Sequence, residues 1–246
     1  MATATVLVLT LLGALFLLTP AWLKALLTLL LIAAAYEWAR LCGMQPLLYG
    51  LSTGIVFFLA PHDAAWFLIA AAFWVVVAPL WLAFGVAPAQ KRMLALAGIV
   101  VLVPAGLAVL VLPAQLVLGV LALTWIADTA AYFVGIRYGR HKLAPSISPG
   151  KSREGALGGL AAVLVYAVAV SAAWQQAHWL LVLCAAAVLG VLSIVGDLFE
   201  SAAKRQAAVK DSGALLPGHG GILDRIDSAT STLPIAAALA PWIIGK

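Results

Sequence analysis

Charge is scarce in this sequence: Asp, Glu, Lys and Arg make up 9% of its 246 residues, while hydrophobic residues make up 65%. A soluble domain carries about a quarter charged residues and is about half apolar. Mean hydropathy is +1.12, more apolar side chain than a water-exposed surface can accommodate. A soluble fold is therefore excluded, and lipid is the solvent for most of the chain. Cysteine is scarce too. Cys42 and Cys184 are far apart and sit in or beside apolar runs, which excludes a disulfide framework or a zinc site of ordinary spacing. No soluble domain, internal repeat, low-complexity tail, Gly-x-Gly-x-x-Gly fingerprint or Gly-x-x-x-x-Gly-Lys-Ser/Thr loop is present. The two nucleotide motifs read most readily from sequence are thus absent.

What is present is a succession of apolar runs. A spanning helix needs about 20 mostly apolar residues. Cutting at charges, prolines and turn residues gives candidate crossings at 4–19, 21–40, 46–60, 64–86, 92–112, 115–136, 156–175, 178–199 and 226–244. The fold class expected is all-α, a polytopic integral membrane protein with about nine transmembrane helices. The third run is the weakest, being short and containing Gly50, Ser52, Thr53 and Gly54. No positive segment precedes the run from Ala2 to Leu18, and a second apolar run follows Pro20. A retained first crossing is expected there, not a cleaved leader.

Basic residues gather in alternate loops: Arg40, then Lys91 and Arg92, then Arg137 to Arg153, then Lys204 to Arg225. The intervening loops hold little charge. The positive-inside rule then puts the basic loops in the cytoplasm, in a cell inner membrane, with the active site on that face. A net charge of +5 distributed this way fits anionic lipid heads, not nucleic acid. Seven of the nine acidic residues lie beyond residue 127. The chain divides accordingly into scaffold helices over 1–113 and a catalytic region over 114–246, with cytoplasmic loops at 137–155 and 202–225.

Acids within membrane helices are costly and mark function by default. Asp128 shares a helical face with Trp125, Thr129 and Tyr132; the plainer reading is a polar helix contact. Asp197, Glu200, Ser201 and Lys204 form one stripe, and 18 uncharged residues (179–196) precede Asp197. An intrahelical acid–lysine pair would be worth only tenths of a kcal/mol and leaves the depth of Asp197 unexplained. Asp224 and Asp227 stand one turn apart at the start of the last apolar run, after the glycine-rich turn Pro217-Gly218-His219-Gly220-Gly221. Paired carboxylates repel unless a cation lies between them, and an oxygen-only set suits Mg²⁺ completed by substrate phosphates. The glycine turn and helix start favour a phosphate. A fourth segment, Ser146 to Gly155, sets Ser148, Lys151, Ser152 and Arg153 in a glycine-flanked turn suited to polyphosphate; alone it reads better as a topogenic basic loop. Acids for a metal, bases for phosphates and a glycine turn are the parts phosphoryl-type transfer requires. Together they point to Mg²⁺-dependent transfer between a nucleotide and a lipid phosphate.

The stretch Ser201-x-x-Lys204-Arg205-x4-Lys210-Asp211-x-Gly213-x2-Leu216-Pro217-x-His219-Gly220-Gly221-Ile222-x-Asp224-Arg225-Ile226-Asp227 resembles the signature of the phosphatidate cytidylyltransferases (CDP-diglyceride synthases). Trp125, Asp128, Thr129 and Tyr132, the Ser148-Pro149 loop and Gly196-Asp197-Leu198-x-Glu200-Ser201 are similar to the family in the same order. The specific resemblance covers residues 124–230. Ala203 departs from a bulkier apolar residue, and Gly150, Ser152 and Arg153 depart from the family's usual loop. The resemblance implies CTP and phosphatidic acid as substrates, CDP-diacylglycerol and pyrophosphate as products, Mg²⁺ and a second cation such as K⁺, and a homodimer. It makes Asp197, Asp224 and Asp227 the metal acids and Asp128 and Asp211 further polar-site residues. Lys151, Lys204, Arg205, Lys210 and Arg225 would hold phosphates, while His219, Gly220 and Gly221 line the nucleotide. Two rivals share this kit: a CTP-using lipid kinase, and a cytidylyltransferase for another lipid phosphate. A transporter would place acids near mid-membrane in symmetry-related halves, which this sequence does not.

Overall fold

Helix boundaries fall where proline, glycine and short polar residues interrupt the apolar runs. The computed structural model describes residues 2–173, 178–213, 215 and 220–244. Helix α1 spans Ala2–Leu17, and α2 (Pro20–Cys42) begins on a proline pre-set for a first turn and ends at left-handed Gly43. Pro46 opens α3 (Pro46–Leu59), and the Asp63 carboxylate caps α4 (Ala64–Ala72) by accepting from the Ala65 N–H at 3.0 Å. A π-helical turn, Phe73–Val77, joins α4 to α5 (Ala78–Phe84) without a break in the rod. Pro79 supplies the reason: it has no N–H to give and would crowd the carbonyl of the preceding turn, and the wider turn relieves this. Then come α6 (Lys91–Val111), α7 (Ala114–Tyr138), α8 (Arg153–Ala173), α9 (Trp179–Gln206) and α10 (Leu223–Ile244).

Among the described residues the fold is all-α apart from one hairpin, β1 (Lys142–Ala144) paired antiparallel with β2 (Ser148–Ser152). Among the described residues, six spans are long and apolar enough to cross a membrane: Pro20–Cys42, Ala64–Phe84, Pro88–Val111, Ala114–Tyr138, Arg153–Ala173 and Trp179–Gln206. The chain is therefore of multi-pass membrane type. The 16 residues of α1 and 14 of α3 rise only about 24 and 21 Å, short of a hydrocarbon core of about 30 Å. The 22 residues of α10 are long enough, but its first half, Asp224 to Thr232, is rich in polar side chains.

Helix α6 occupies the centre, buried along most of its length against α2 and α10. Phe199 of α9 is completely enclosed by aromatic rings from the first half: Trp38 at 6.3 Å, Phe73 at 5.3 Å, Trp74 at 5.7 Å and Trp81 at 5.6 Å between ring centroids. Aromatic pairs in such offset and edge-on geometries contribute about 0.5–1.5 kcal/mol each beyond burial. This cluster fixes the depth of α9 directly beside its polar stripe, since Glu200 is the next residue. On the periphery, Trp22, Leu29, Phe58, Leu59, Leu68, Phe84 and Leu96 point outward, as side chains facing lipid must.

Candidate active site

Packing of α7, α8, α9 and the hairpin leaves a cavity of about 740 Å³, walled by Ala131, Gly135, Ile136, Leu143, Ala156 and Ile194. Into it come six residues expected from the sequence to bind substrate or metal: Asp128, Tyr132, Ser148, Lys151, Ser152 and Asp197. An apolar wall with a few converging polar groups is the usual form of a ligand site. The Lys151 ammonium of β2 forms an ion pair with the Asp197 carboxylate of α9, and the Ser201 hydroxyl donates to the same carboxylate at 3.3 Å. The Ser152 oxygen accepts from the Gly155 N–H at 3.1 Å and so caps α8. Gly155 and Ala156 of that first turn line the cavity, which presents a helix N-terminus to any anion inside.

The hairpin that carries Lys151 is stapled at its base. Glu154 accepts from the backbone N–H of Arg140 at 3.1 Å and of His141 at 3.2 Å, and pairs with the His141 ring at 2.6 Å. The Arg205 guanidinium donates to the Ile147 carbonyl at 3.1 Å and to the Val209 carbonyl at 3.1 Å. It thus ties the hairpin tip to the end of α9.

A second polar group adjoins the first along α9. Lys204, 9% exposed, donates to Glu200 at 3.1 Å and to Asp224 of α10 at 2.6 Å. Two carboxylates thus share one ammonium in a buried place, where a charge without such a partner would cost several kcal/mol. The other Asp224 oxygen accepts from the Ser212 N–H at 3.1 Å, the Ser212 hydroxyl at 3.0 Å and the Gly221 N–H at 2.8 Å. Gly196 joins the two groups. A Cβ at that position would lie 2.9 Å from the Asp227 carbonyl oxygen, so only glycine allows α9 and α10 to approach this closely. The approach sets Asp197, the next residue, beside Asp227 at the start of α10.

Of the expected residues, the structure gathers Asp128, Tyr132, Ser148, Lys151, Ser152 and Asp197 in the cavity, and Glu200, Ser201, Lys204, Asp224 and Asp227 along the α9–α10 seam. Lys210, Asp211 and Arg225 are exposed on the turn and helix start beyond it. Gly220 adopts a positive φ of 80° and Gly221 is buried; His219 lies outside the described residues. Among the described residues no three His, Cys, Asp or Glu side chains converge as a preformed metal cage. The donor chemistry still fits a hard cation, because Mg²⁺ is usually held by one or two carboxylates and takes its remaining ligands from water and phosphates.

Two residues not foreseen complete the seam. The Glu37 carboxylate, in α2 and 1% exposed, accepts from the Ile222 N–H at 3.2 Å, the Leu223 N–H at 3.0 Å and the Ser212 hydroxyl at 3.1 Å. Its signal was the cost of an acid within an apolar run, obscured by Arg40 three residues later, which reads as a helical partner. Ser212 gave no signal, being one hydroxyl in a polar turn.

The sequence pattern of the Cytidylyltransferase family matches residues 1–242, so the likeness extends through the first half as well as the 124–230 region. A Pseudomonas aeruginosa protein named phosphatidate cytidylyltransferase is 40% identical over 262 aligned positions, covering 99% of this chain and 96% of its own. Proteins of the same name from Haemophilus influenzae and Thermotoga maritima are 46% and 41% identical over 126 and 123 residues. Those matches take in 48% of this chain in each case, and 43% and 46% of the relatives. On a match over nearly its whole length, the chain belongs to the cytidylyltransferase family.

Proposed function

We propose that this chain is a phosphatidate cytidylyltransferase, which transfers CMP from CTP to phosphatidic acid and gives CDP-diacylglycerol and pyrophosphate. The observation that carries the reading is the cavity itself: an apolar-walled chamber among membrane helices, with Lys151, Asp197, Asp128 and the α8 N-terminus at its polar surface. An amphiphilic phosphate and a nucleotide triphosphate need that combination.

In the reaction, a phosphatidate phosphate oxygen attacks the α-phosphorus of CTP. One P–O bond forms, the bond to the β-phosphate oxygen breaks, and pyrophosphate leaves with the electron pair. The attacking oxygen is already anionic near neutral pH, so no strong general base is required. The work left to the protein is positioning and the offset of repulsion between two polyanions. Lys151 and Lys204 are set for it: each holds an aspartate (Asp197 and Asp224) and keeps at least one N–H to turn toward phosphate. Tyr132, Ser148 and Ser152 supply hydroxyls at the cavity wall, and Glu200, Ser201 and Asp128 hold the charged groups in register. Arg205, Lys210 and Arg225 belong to the rim, where they attract anionic substrates, with Asp211 a further polar residue beside them, and His219 with Gly220 and Gly221 would line the nucleotide.

Asp197, Asp224 and Asp227 are the groups that would hold Mg²⁺, with K⁺ as a second cation; bound there, the metal supplies charge neutralisation of the phosphates and of the leaving group. The same reading places the protein in the inner membrane as a homodimer, with the cavity open to the cytoplasm beside anionic lipid heads. The test is product identification with purified protein in detergent. CTP, phosphatidate and Mg²⁺ should yield CDP-diacylglycerol and pyrophosphate in equal amounts. Turnover of CTP without any CDP-lipid would contradict the assignment.

A further inference from the structure

We infer that Glu37, on a helix of the scaffold half, is a positioning residue for the transfer reaction: it fixes the turn that aims Asp224. The inference rests on the proposed cytidylyl transfer for its kinetic consequence, but its geometry is independent of that reading.

The first four N–H groups of a helix have no partner within it. Helix α10 begins at Leu223, so the Ile222 and Leu223 N–H groups need acceptors. The residue supplying them comes from 185 positions earlier in the chain, as one Glu37 oxygen accepts from Ile222 and the other from Leu223. The Ser212 hydroxyl stands 3.1 Å from the second oxygen and 3.0 Å from Asp224, so its one proton is shared between the two carboxylates. One hydroxyl therefore spans the scaffold carboxylate and the seam carboxylate. Space enforces the arrangement. Gly213 and Gly221 lie so close to the Glu37 carboxylate that a Cβ on either would overlap it, and Glu37 itself is almost wholly enclosed.

A carboxylate placed only to stabilise the fold would be an expensive choice in a buried apolar setting. A neutral acceptor on the turn itself could cap the helix locally. What a long-range anionic cap adds is rigidity in the one segment, 220–223, that joins the glycine turn to Asp224. Asp224 depends on that segment for its Gly221 N–H, and Lys204 depends in turn on Asp224. The chain of contacts runs from Glu37 through the 212 and 221–223 backbone to Asp224 and Lys204. Glu37 itself does not line the cavity.

The experiment compares wild type with Glu37→Gln, which keeps the size of the side chain but replaces one acceptor oxygen by an NH₂ facing N–H groups. Expected is a fall in kcat of about 10- to 100-fold, the scale of a lost hydrogen bond to a charged group, with KM for CTP changed by less than about threefold. The melting temperature should match that of Leu31→Ala, a buried substitution in the same helix that keeps wild-type kcat per folded molecule. Amide exchange at 212 and 221–223 should accelerate in Glu37→Gln and not in Leu31→Ala. Wild-type kcat in Glu37→Gln would overturn the inference, as would equal loss in both variants.

Should wild type itself make no CDP-lipid, the proposed function fails, and the exchange rates decide the Glu37 assignment alone: unchanged protection of 221–223 overturns it. If Glu37→Gln does not fold, Ser212→Ala probes the same chain from the other end. A drop in kcat with unaltered KM and melting temperature supports the inference, and unchanged kcat overturns it.

Discussion

The two halves of this molecule are both bundles of apolar helices, yet they treat polar groups in opposite ways. From α1 to α6 the chain contains two acids, Glu37 and Asp63. One caps its own helix at the surface and the other is buried in the service of the other half. From α7 to α10 seven acids occur, and every side chain lining the cavity comes from residue 128 onward. The halves are nonetheless one unit. Phe199 is enclosed by Trp38, Phe73, Trp74 and Trp81, and it immediately precedes Glu200 on the catalytic stripe. The proposed cytidylyl transfer assigns substrate contact to the second half, and leaves the first half to act through shape and the long-range Glu37 cap.

This contrast can be broken or sharpened by substitution. The largest effect is expected at the seam. Asp224→Asn should lower kcat by roughly a thousandfold, the scale of removing a preorganised charge from a phosphoryl-transfer site, while the protein still inserts and elutes as a folded species. Residual activity near wild type would take Asp224 out of the site. Next is the cavity cation. Lys151→Ala should reduce kcat/KM for CTP about a hundredfold, as expected of a lost charge-assisted phosphate contact, measured by initial rates across CTP concentration. A smaller change belongs to the hairpin tether. Arg205→Ala removes two hydrogen bonds to the Ile147 and Val209 carbonyls, and should raise KM by about three- to tenfold with little change in kcat. The smallest effect is expected on the lipid face of the scaffold: Phe84, 87% exposed, should tolerate Ala with a stability change within about 0.5 kcal/mol and full activity. A large loss of turnover there would contradict the assignment of the first half to support alone.

Much of this could be read before any coordinates, because lipid imposes simple rules. Apolar runs had to be helices, since backbone groups cannot stay unpaired in hydrocarbon. Asp128, Asp197 and Lys204 stood out because ionised groups there are costly. Boundaries fell within a few residues at Pro20, Pro46 and Pro113 for local steric reasons. What escaped the sequence was tertiary. The contact between Glu37 and Leu223 crosses 186 positions, and no local pattern encodes it. The hairpin was expected as a loop, because strands of three and five residues containing Pro149 and Gly150 carry no alternation to reveal pairing. The Lys151–Asp197 pair and the Lys204 bridge likewise depend on how the hairpin, α9 and α10 pack, which single-helix stripes do not specify. The stripe did put Asp197, Glu200, Ser201 and Lys204 together, and helical geometry alone accounts for that success.

The central claim is the chemistry of the bond that breaks in CTP. It is tested most directly with purified protein, phosphatidate and Mg²⁺, using CTP labelled in the cytidine in one reaction and in the γ-phosphate in another. Cytidylyl transfer predicts that cytidine label enters the lipid while γ-label leaves entirely as pyrophosphate. Entry of the γ-label into lipid, with cytidine label recovered as CDP, would contradict the claim and make the enzyme a CTP-dependent lipid kinase.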